Sequence, residues 1–391
     1  MNLTPSPADV PRAAWSALWT FPAMLMSAFV VAWGAEAAQF YVSQGLALAL
    51  LAWIQVLPEF AVEAVIAWHR DVPLMTANFT GAVRLLTGLG WPVIWGVHAV
   101  TAHRRGERGE WHVVRLDREH AVEVVGLVPP LLLFVWIVIK GRLGLLDAGL
   151  LLALYAAYLI ALQRVPPREH EEEEELSAPA RAVLGRPEPL RALGTLALFL
   201  AGAALLYVTS APFLSSMLGL ATLIGVSQFV FVQWMAPFLS EFPEFTSTTY
   251  WARRRGRAGM ALMNLASSNI NQWTVLAAMI PIAYSLSLGR IAAVPLASHR
   301  LELTLTLLQS ALGCVLLSNF RLDAYEAVGM FVLWLLQFLQ PEWRLQITWC
   351  YGAWLALELG SAPWRHGRLA AFAVFPRLWA HQARVAGPPA T

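Results

Sequence analysis

The sequence predicts an all-α polytopic membrane protein: two inverted-topology five-helix repeats with broken helices at the centre, followed by one extra C-terminal helix. Three observations predict it. The 391 residues are 58% hydrophobic and only 13% charged, too apolar for a soluble chain of this size. Apolar stretches of about 20 residues, long enough to cross the hydrocarbon core, recur along its length. A Pro-Glu-Phe motif occurs once in each half inside such a stretch, at Pro58-Glu59-Phe60 and Pro243-Glu244-Phe245.

The apolar stretches run roughly 15–41, 45–68, 73–100, 120–139 and 143–163, then 190–211, 222–251, 258–286, 301–319, 323–340 and 345–361. The first five make one repeat, residues 15–163, and the next five a second, 190–340. Residues 341–391 supply the extra helix and a basic tail. Between the repeats, 164–189 reads as an acidic linker with the run Glu171 to Glu175 and several prolines, a composition that cannot build a packed core. Five spans is an odd number, so the second repeat must enter the bilayer in the opposite sense. With the N-terminus outside, nineteen of the 27 basic residues fall on the inner side and seven on the outer, Arg84 lying within a helix. That bias places the linker and C-terminus in the cytoplasm. A Pro-rich polar start without a basic region does not look like a cleaved signal peptide.

Each Pro-Glu-Phe motif carries a physical signal. Proline lacks an N–H and its ring clashes with the carbonyl four residues earlier, so Pro58 and Pro243 should free the backbone oxygens of Ile54 and Leu239. Such broken-helix carbonyls are tolerated at membrane depth where they line a cavity or hold an ion, and a buried carboxylate beside them is costly unless it has a task. Helical spacing enlarges the cluster: Glu63 lies four residues after Glu59, Glu241 three before Glu244, and Thr248 four after it. Paired carboxylates with oxygen ligands suit hard cations such as Ca2+ or Na+. The alternative is that these acids are satisfied singly at helix ends and the prolines are ordinary kinks.

The repetition extends further. Asn78 follows Pro58 by 20 residues and Asn264 follows Pro243 by 21, and Arg142-Leu143 with Asp147-Ala148 has a counterpart in Arg321-Leu322 with Glu326-Ala327. On these residues the chain resembles the cation/calcium exchanger superfamily, which includes the sodium/calcium exchangers. Its repeats typically read Gly-Thr-Ser-x-Pro-Glu on one helix and Gly-Asn-x-x-Gly-Ser-Asn on the next. The second half offers Leu239-Ser240-Glu241-Phe242-Pro243-Glu244 and Met263-Asn264-Leu265-Ala266-Ser267-Ser268-Asn269. The first offers Ile54-Gln55-Val56-Leu57-Pro58-Glu59 and Ala77-Asn78-Phe79-Thr80-Gly81-Ala82-Val83. Gly34-Ala35-Glu36 looks like the family's opening helix, and the resemblance covers Trp15 to about Gln340.

The resemblance implies a ten-helix core that exchanges cations by alternating access. It makes Glu59, Glu244 and Asn269 ion ligands, with Asn78, Asn264 and Ser268 shaping the helix breaks. Glu63, Glu241 and Thr248 stand beside them. The family's Thr-Ser pair is Gln55-Val56 in the first half and Ser240-Glu241 in the second, and Ala82-Val83 replaces Ser-Asn. Those lost hydroxyls weigh against a family-typical set of sodium sites. Arg84, next to the position of a ligand Asn, must find an acid or water. The expectation is a charge competitor that pairs with Glu59 or Glu63 when no ion is bound, the alternative being that it snorkels away from the site.

The expected function is therefore a secondary antiporter exchanging Ca2+ for Na+ or H+, in a prokaryotic inner membrane, with the lipid bilayer and inorganic cations as partners. It needs no cofactor, and no nucleic-acid partner is implied. A second reading is a transport-degenerate sensor or scaffold that keeps the fold. No Walker loop, HExxH or Ser/His/Asp arrangement supports an enzyme. Cys314 and Cys350 form neither a disulfide framework nor a zinc pattern, and His98, His103, His112 and His120 read as surface residues.

Overall fold

The computed structural model describes residues 5–38, 56–107, 109, 111–163, 176–362 and 367–385. The first part of the second span, including Ile54 and Gln55, and the acidic run Glu171 to Glu175 lie outside the described residues.

The first half comprises α1 (Val10–Ala38), α2 (Leu57–Trp68), α3 (Val72–Arg104), strand β1 (Val113–Arg115), α4 (Arg118–Lys140), β2 (Arg142–Leu143) and α5 (Leu145–Gln163). A short helix α6 (Ala178–Leu184) precedes the second half. There follow α7 (Leu190–Leu223), α8 (Gln228–Ser240), α9 (Phe242–Ala252) and α10 (258–288). The half closes with β3 (Val294–Pro295), α11 (Arg300–Leu317), β4 (Arg321–Asp323) and α12 (Ala324–Leu339). Two further helices follow, α13 (Arg344–Ser361) and α14 (Ala370–Val385).

The halves match in detail. Helices α3 and α10 each run as a 14-residue α-helix, Val72–Leu85 and Ala258–Asn271, into a five-residue π turn, Leu86–Gly90 and Gln272–Leu276. A π turn widens the helix and re-aims its side chains, and such turns recur at functional sites. The residues Arg142-Leu143 and Arg321-Leu322, matched in sequence, are β2 and the start of β4.

Strand pairing fixes the relative insertion of the halves. β1 pairs antiparallel with β4, Val114 opposite Leu322, and β2 pairs with β3, Leu143 opposite Val294. In each ladder the link between third and fourth spans of one half meets the link between fourth and fifth spans of the other. Those links share a membrane face only if the halves run in opposite senses. Side-chain contacts agree: Arg105 donates to the Arg253 carbonyl at 2.6 Å on the β1 face, and Ser287 bonds the Trp68 carbonyl on the β2 face.

Helix α7 corrects the expected boundaries. The sequence reading ends that span near residue 211, whereas the helix runs 34 residues to Leu223 and the chain turns at Gly225, where φ is +72°. At ~1.5 Å per residue it is ~50 Å long and exceeds the hydrocarbon thickness. It packs along α1 through small residues: a Cβ on Gly219 would lie 2.8 Å from the Ala14 backbone nitrogen. Thr20 and Ser216 hydrogen-bond at 2.7 Å between the two helices. The opposite flank of α7 exposes Leu196, Leu200 and Tyr207, as a lipid-facing surface would.

Part of the basic C-terminal segment packs against the core. Arg368 is buried between Glu326 at 2.9 Å and Glu358 at 2.7 Å, and its carbonyl accepts from Ser318 Oγ at 2.5 Å. Ala371, Phe372, Val374 and Phe375 of α14 then join the core cluster. His120 is also buried rather than on the surface, 3.6 Å from Glu123.

Candidate cation site

Both motifs start helices. Pro58 and Pro243 sit in the first turns of α2 and α9, where a missing N–H costs nothing. Glu59 and Glu244 follow them, so the positive ends of two helix dipoles support their carboxylates. Glu241 is the joint itself, with φ −87° and ψ −5° between α8 and α9.

All four acids are inside the protein, with Glu59, Glu63, Glu241 and Glu244 between 0% and 4% exposed. The Glu241 carboxyl neighbours those of both Glu59 and Glu244, so three carboxyls drawn from both halves form one row. Gln272, in the π turn of α10, ties the halves together: its Nε2 donates to Glu59 Oε2 at 3.0 Å and to Glu241 Oε1 at 2.8 Å. Asn264 Nδ2 and Ser268 Oγ donate to Glu244 Oε1 at 2.9 and 2.6 Å. Asn78 Nδ2 donates to Glu63 Oε2 at 2.7 Å.

The other oxygens are left without partners. Glu59 Oε1, Glu63 Oε1, Glu241 Oε2, Glu244 Oε2, Asn78 Oδ1 and Gln272 Oε1 are buried and make no hydrogen bond, and neither amide atom of Asn269 makes one. Buried acceptors without donors are costly, and a cation is the partner that would satisfy several at once. Among the described residues no three His, Cys, Asp or Glu side chains are grouped closely enough to hold a metal ion. The acids are arranged as a row between helices.

Several predicted residues take other roles. Thr248 Oγ1 donates to its own helix at the Glu244 carbonyl, 2.7 Å away. Arg84 does not pair with Glu59 or Glu63. Its Nη2 contacts Glu302 Oε2 at 2.7 Å, its Nη1 donates to Gln337 Oε1 at 3.0 Å and its Nε to the Thr80 carbonyl at 3.1 Å. The reason is helical geometry: at about 100° per residue, Asn78 and Ala82 share one face of α3, whereas Thr80, Arg84 and Thr87 share the other. Gln272 was not among the predicted ligands. Its only sequence signal is an amide inside an apolar span, beside Asn269 and Asn271.

The repeats are unequal at this site. Positions equivalent to Ser268 and Asn269 are Ala82 and Val83 in α3, so Glu59 takes its hydrogen bond from Gln272 of the other half.

A sequence profile of the family described as "Sodium/calcium exchanger protein" matches residues 13–163 and 194–339. The chain belongs to this family. Its exchanger fold also matches solved structures. A crystal structure of the H+/Ca2+ exchanger CAX is 30% identical, covers 94% of this chain and 92% of its own, and aligns with a TM-score of 0.85. The sodium-calcium exchanger NCX_Mj, soaked with 100 mM Na+ and 10 mM Sr2+, aligns at 0.53 with 17% identity over 85% of this chain and 99% of its own. At that identity the likeness to NCX_Mj concerns the fold alone. No curated protein matches by sequence. The family is one of membrane-embedded secondary transporters, and this member shares its inverted-repeat architecture.

Proposed function

We propose that the chain is a secondary antiporter that exchanges Ca2+ for H+, or for Na+, by alternating access at the Glu59–Glu241–Glu244 row. The observation that carries this reading is the Gln272 bridge between carboxyls of the two halves, Glu59 and Glu241, together with the buried oxygens of Glu59, Glu241 and Glu244 that make no hydrogen bond. Carboxylates in contact cannot all be ionised without a neutralising charge. Without a metal ion they hold protons between them. A divalent cation that enters the row neutralises the same charges, so the protons leave, and cation binding is thereby coupled to proton release. Glu59, Glu241 and Glu244 act as ligands, with Asn269 and the Gln272 oxygen completing the shell, while Asn264 and Ser268 orient Glu244. Asn78 holds Glu63 one turn from Glu59, on the path towards the β2 face.

The missing hydroxyls at Gln55, Val56 and Ala82 and the missing amide at Val83 favour H+ over Na+ as the counter-ion, and the likeness to the H+/Ca2+ exchanger CAX supports the same choice. The basic-residue bias puts the β1 face and the C-terminus in the cytoplasm of an inner membrane. Alternating access exposes the row to the two faces in turn, with Glu241 as the joint.

A second reading is favoured by one observation, the loss of polar ligands from α3: a sensor or scaffold that retains the fold without transport. Uptake of radioactive Ca2+ into proteoliposomes under an imposed pH or Na+ gradient separates the two. The exchanger reading predicts gradient-driven uptake that Glu59→Gln and Glu244→Gln abolish. Absence of flux under every gradient, with both variants indistinguishable from the parent, would falsify it.

A further inference from the structure

A second polar centre lies on the far side of α3 from the carboxylate row. Glu302, in the first turn of α11, accepts a hydrogen bond from Arg84 on Oε2 at 2.7 Å and is ion-paired through Oε1 with Arg344, whose Nε lies 2.7 Å away. Gln233 Nε2 from α8 also reaches Glu302 Oε2, at 3.3 Å, and Thr80 Oγ1, at 3.1 Å. Gln337 accepts from Arg84 and in turn donates to Tyr351 at 3.2 Å. Among the described residues Glu302 is the one acid in ion-pair contact with either guanidinium. Two permanent positive charges therefore share one negative charge. Arg344 has a side chain 26% exposed and is partly screened by solvent, whereas Arg84 is 1% exposed, over the face of Trp234 at 5.4 Å. The centre carries an uncompensated positive charge inside the membrane domain. The counterpart face of α10 carries Ala266, Ile270 and Trp273, with no charge at all.

Arg84 lies on the face of α3 turned away from Asn78 and Ala82, so the width of that helix, about 10–12 Å with its side chains, separates the guanidinium from the carboxylate row. A unit charge some 15 Å from a cation, acting through protein of modest effective dielectric, changes a monovalent ion's affinity by about threefold or more. The effect on a divalent ion is the square of that, about tenfold, because the energy scales with ion charge.

We propose that Arg84 is a specificity-determining residue for the exchange, acting through space on an ion it does not touch. Its charge weakens the grip of the carboxylate row on a divalent cation by the square of the factor by which it weakens a monovalent one. The divalent ion is thereby released more readily and monovalent counter-ions compete better. This inference rests on the exchanger reading above.

Equilibrium binding of radioactive Ca2+ to the full chain in detergent, at fixed pH and ionic strength, tests it through a charge series. Arg84→Gln removes one positive charge and is expected to tighten Ca2+ binding about tenfold. Glu302→Gln adds one net positive charge and is expected to weaken it by about the same factor. The double variant restores the parent's net charge and returns affinity to within about twofold, as does Arg84→Lys, which keeps the charge. Competition by Na+ shifts by only the square root of each Ca2+ factor. A merely structural Arg84 gives the opposite pattern, with every variant weaker than the parent and the double weakest, and that result overturns the proposal. Should Arg84→Gln fail to fold, the double variant must still bind Ca2+ more tightly than Glu302→Gln, and equality or weaker binding overturns it. Absence of Ca2+ binding by the unmodified chain overturns the exchanger reading and this inference together, whereas normal parent binding with an unaltered Arg84→Gln overturns this inference alone.

Discussion

Gly81→Ala tests how the frame around the site sets its geometry. A Cβ built on Gly81 of α3 lies 1.8 Å from the Gln233 carbonyl oxygen and 2.7 Å from its carbonyl carbon. Both are helix backbone in α8, which cannot swing aside as a side chain would. Ordinary contact needs about 3.4 Å, so α3 and α8 must part by about 1.5 Å, an overpacking that costs about 1–3 kcal/mol. Alanine would otherwise gain up to about 1 kcal/mol over glycine inside a helix. The displacement matters for function because α8 carries Glu241 at its end, about 12 Å further along. A shift of about 1 Å there stretches the 2.8 Å bond from Gln272 beyond hydrogen-bonding range. Gly149→Ala, where nothing lies within 4 Å of the added methyl, is the control. Thermal unfolding in detergent and Ca2+ titration are the assays. Gly81→Ala is expected to lower the unfolding midpoint and weaken Ca2+ binding at least tenfold, with Gly149→Ala unchanged or slightly stabilised. Parent-like stability and affinity in Gly81→Ala would refute the reasoning.

Three further outcomes are expected. Ser268→Ala removes the 2.6 Å donor to Glu244, and a hydrogen bond to a charged group contributes about 1.5–3 kcal/mol. A double-mutant cycle with Glu244→Gln should return a coupling of that size, and a coupling near zero would show that Ser268 does not orient this acid. Arg368→Met strands Glu326 and Glu358 without their shared partner, which destabilises the fold by about 3–5 kcal/mol. Denaturation midpoints check this, and Glu326→Gln with Glu358→Gln in the same chain should recover part of the loss. Glu63→Gln should leave measurable Ca2+ flux where Glu59→Gln leaves none, since among the described residues Glu63 bonds to Asn78 and lies outside the three-carboxyl row. Equal loss in both flux assays would place Glu63 among the essential ligands.

Much of this architecture could be read from residues because a bilayer imposes a coarse, repeated rule. Spans of about 20 apolar residues and a motif present twice were enough to divide the chain into halves. Opposite insertion followed from their odd span count, and the β1–β4 and β2–β3 ladders report the same symmetry through backbone pairing. The length of α7 was not legible, because the turn at Ile224-Gly225 lies among residues as apolar as the helix before it. Arg84 was misplaced for a simpler reason. It is a sequence neighbour of Val83, and on a helix a neighbour points about 100° away. Gln233, Gln337 and Glu302 sit singly on three different helices, α8, α12 and α11, so the second polar centre emerges only once the helices are packed. Gln272 gave a weak signal, since the π turn that aims it at both Glu59 and Glu241 has no distinctive sequence.

Crystals of the chain soaked with Ca2+ or Mn2+ and measured for anomalous scattering put the central claim to its most direct test. A single strong peak between α2 and α9, about 2.3–2.6 Å from carboxylate oxygens of both Glu59 and Glu244, is the predicted result. A peak bound by one half alone, or a row of acids that stays empty at saturating Ca2+, would contradict it.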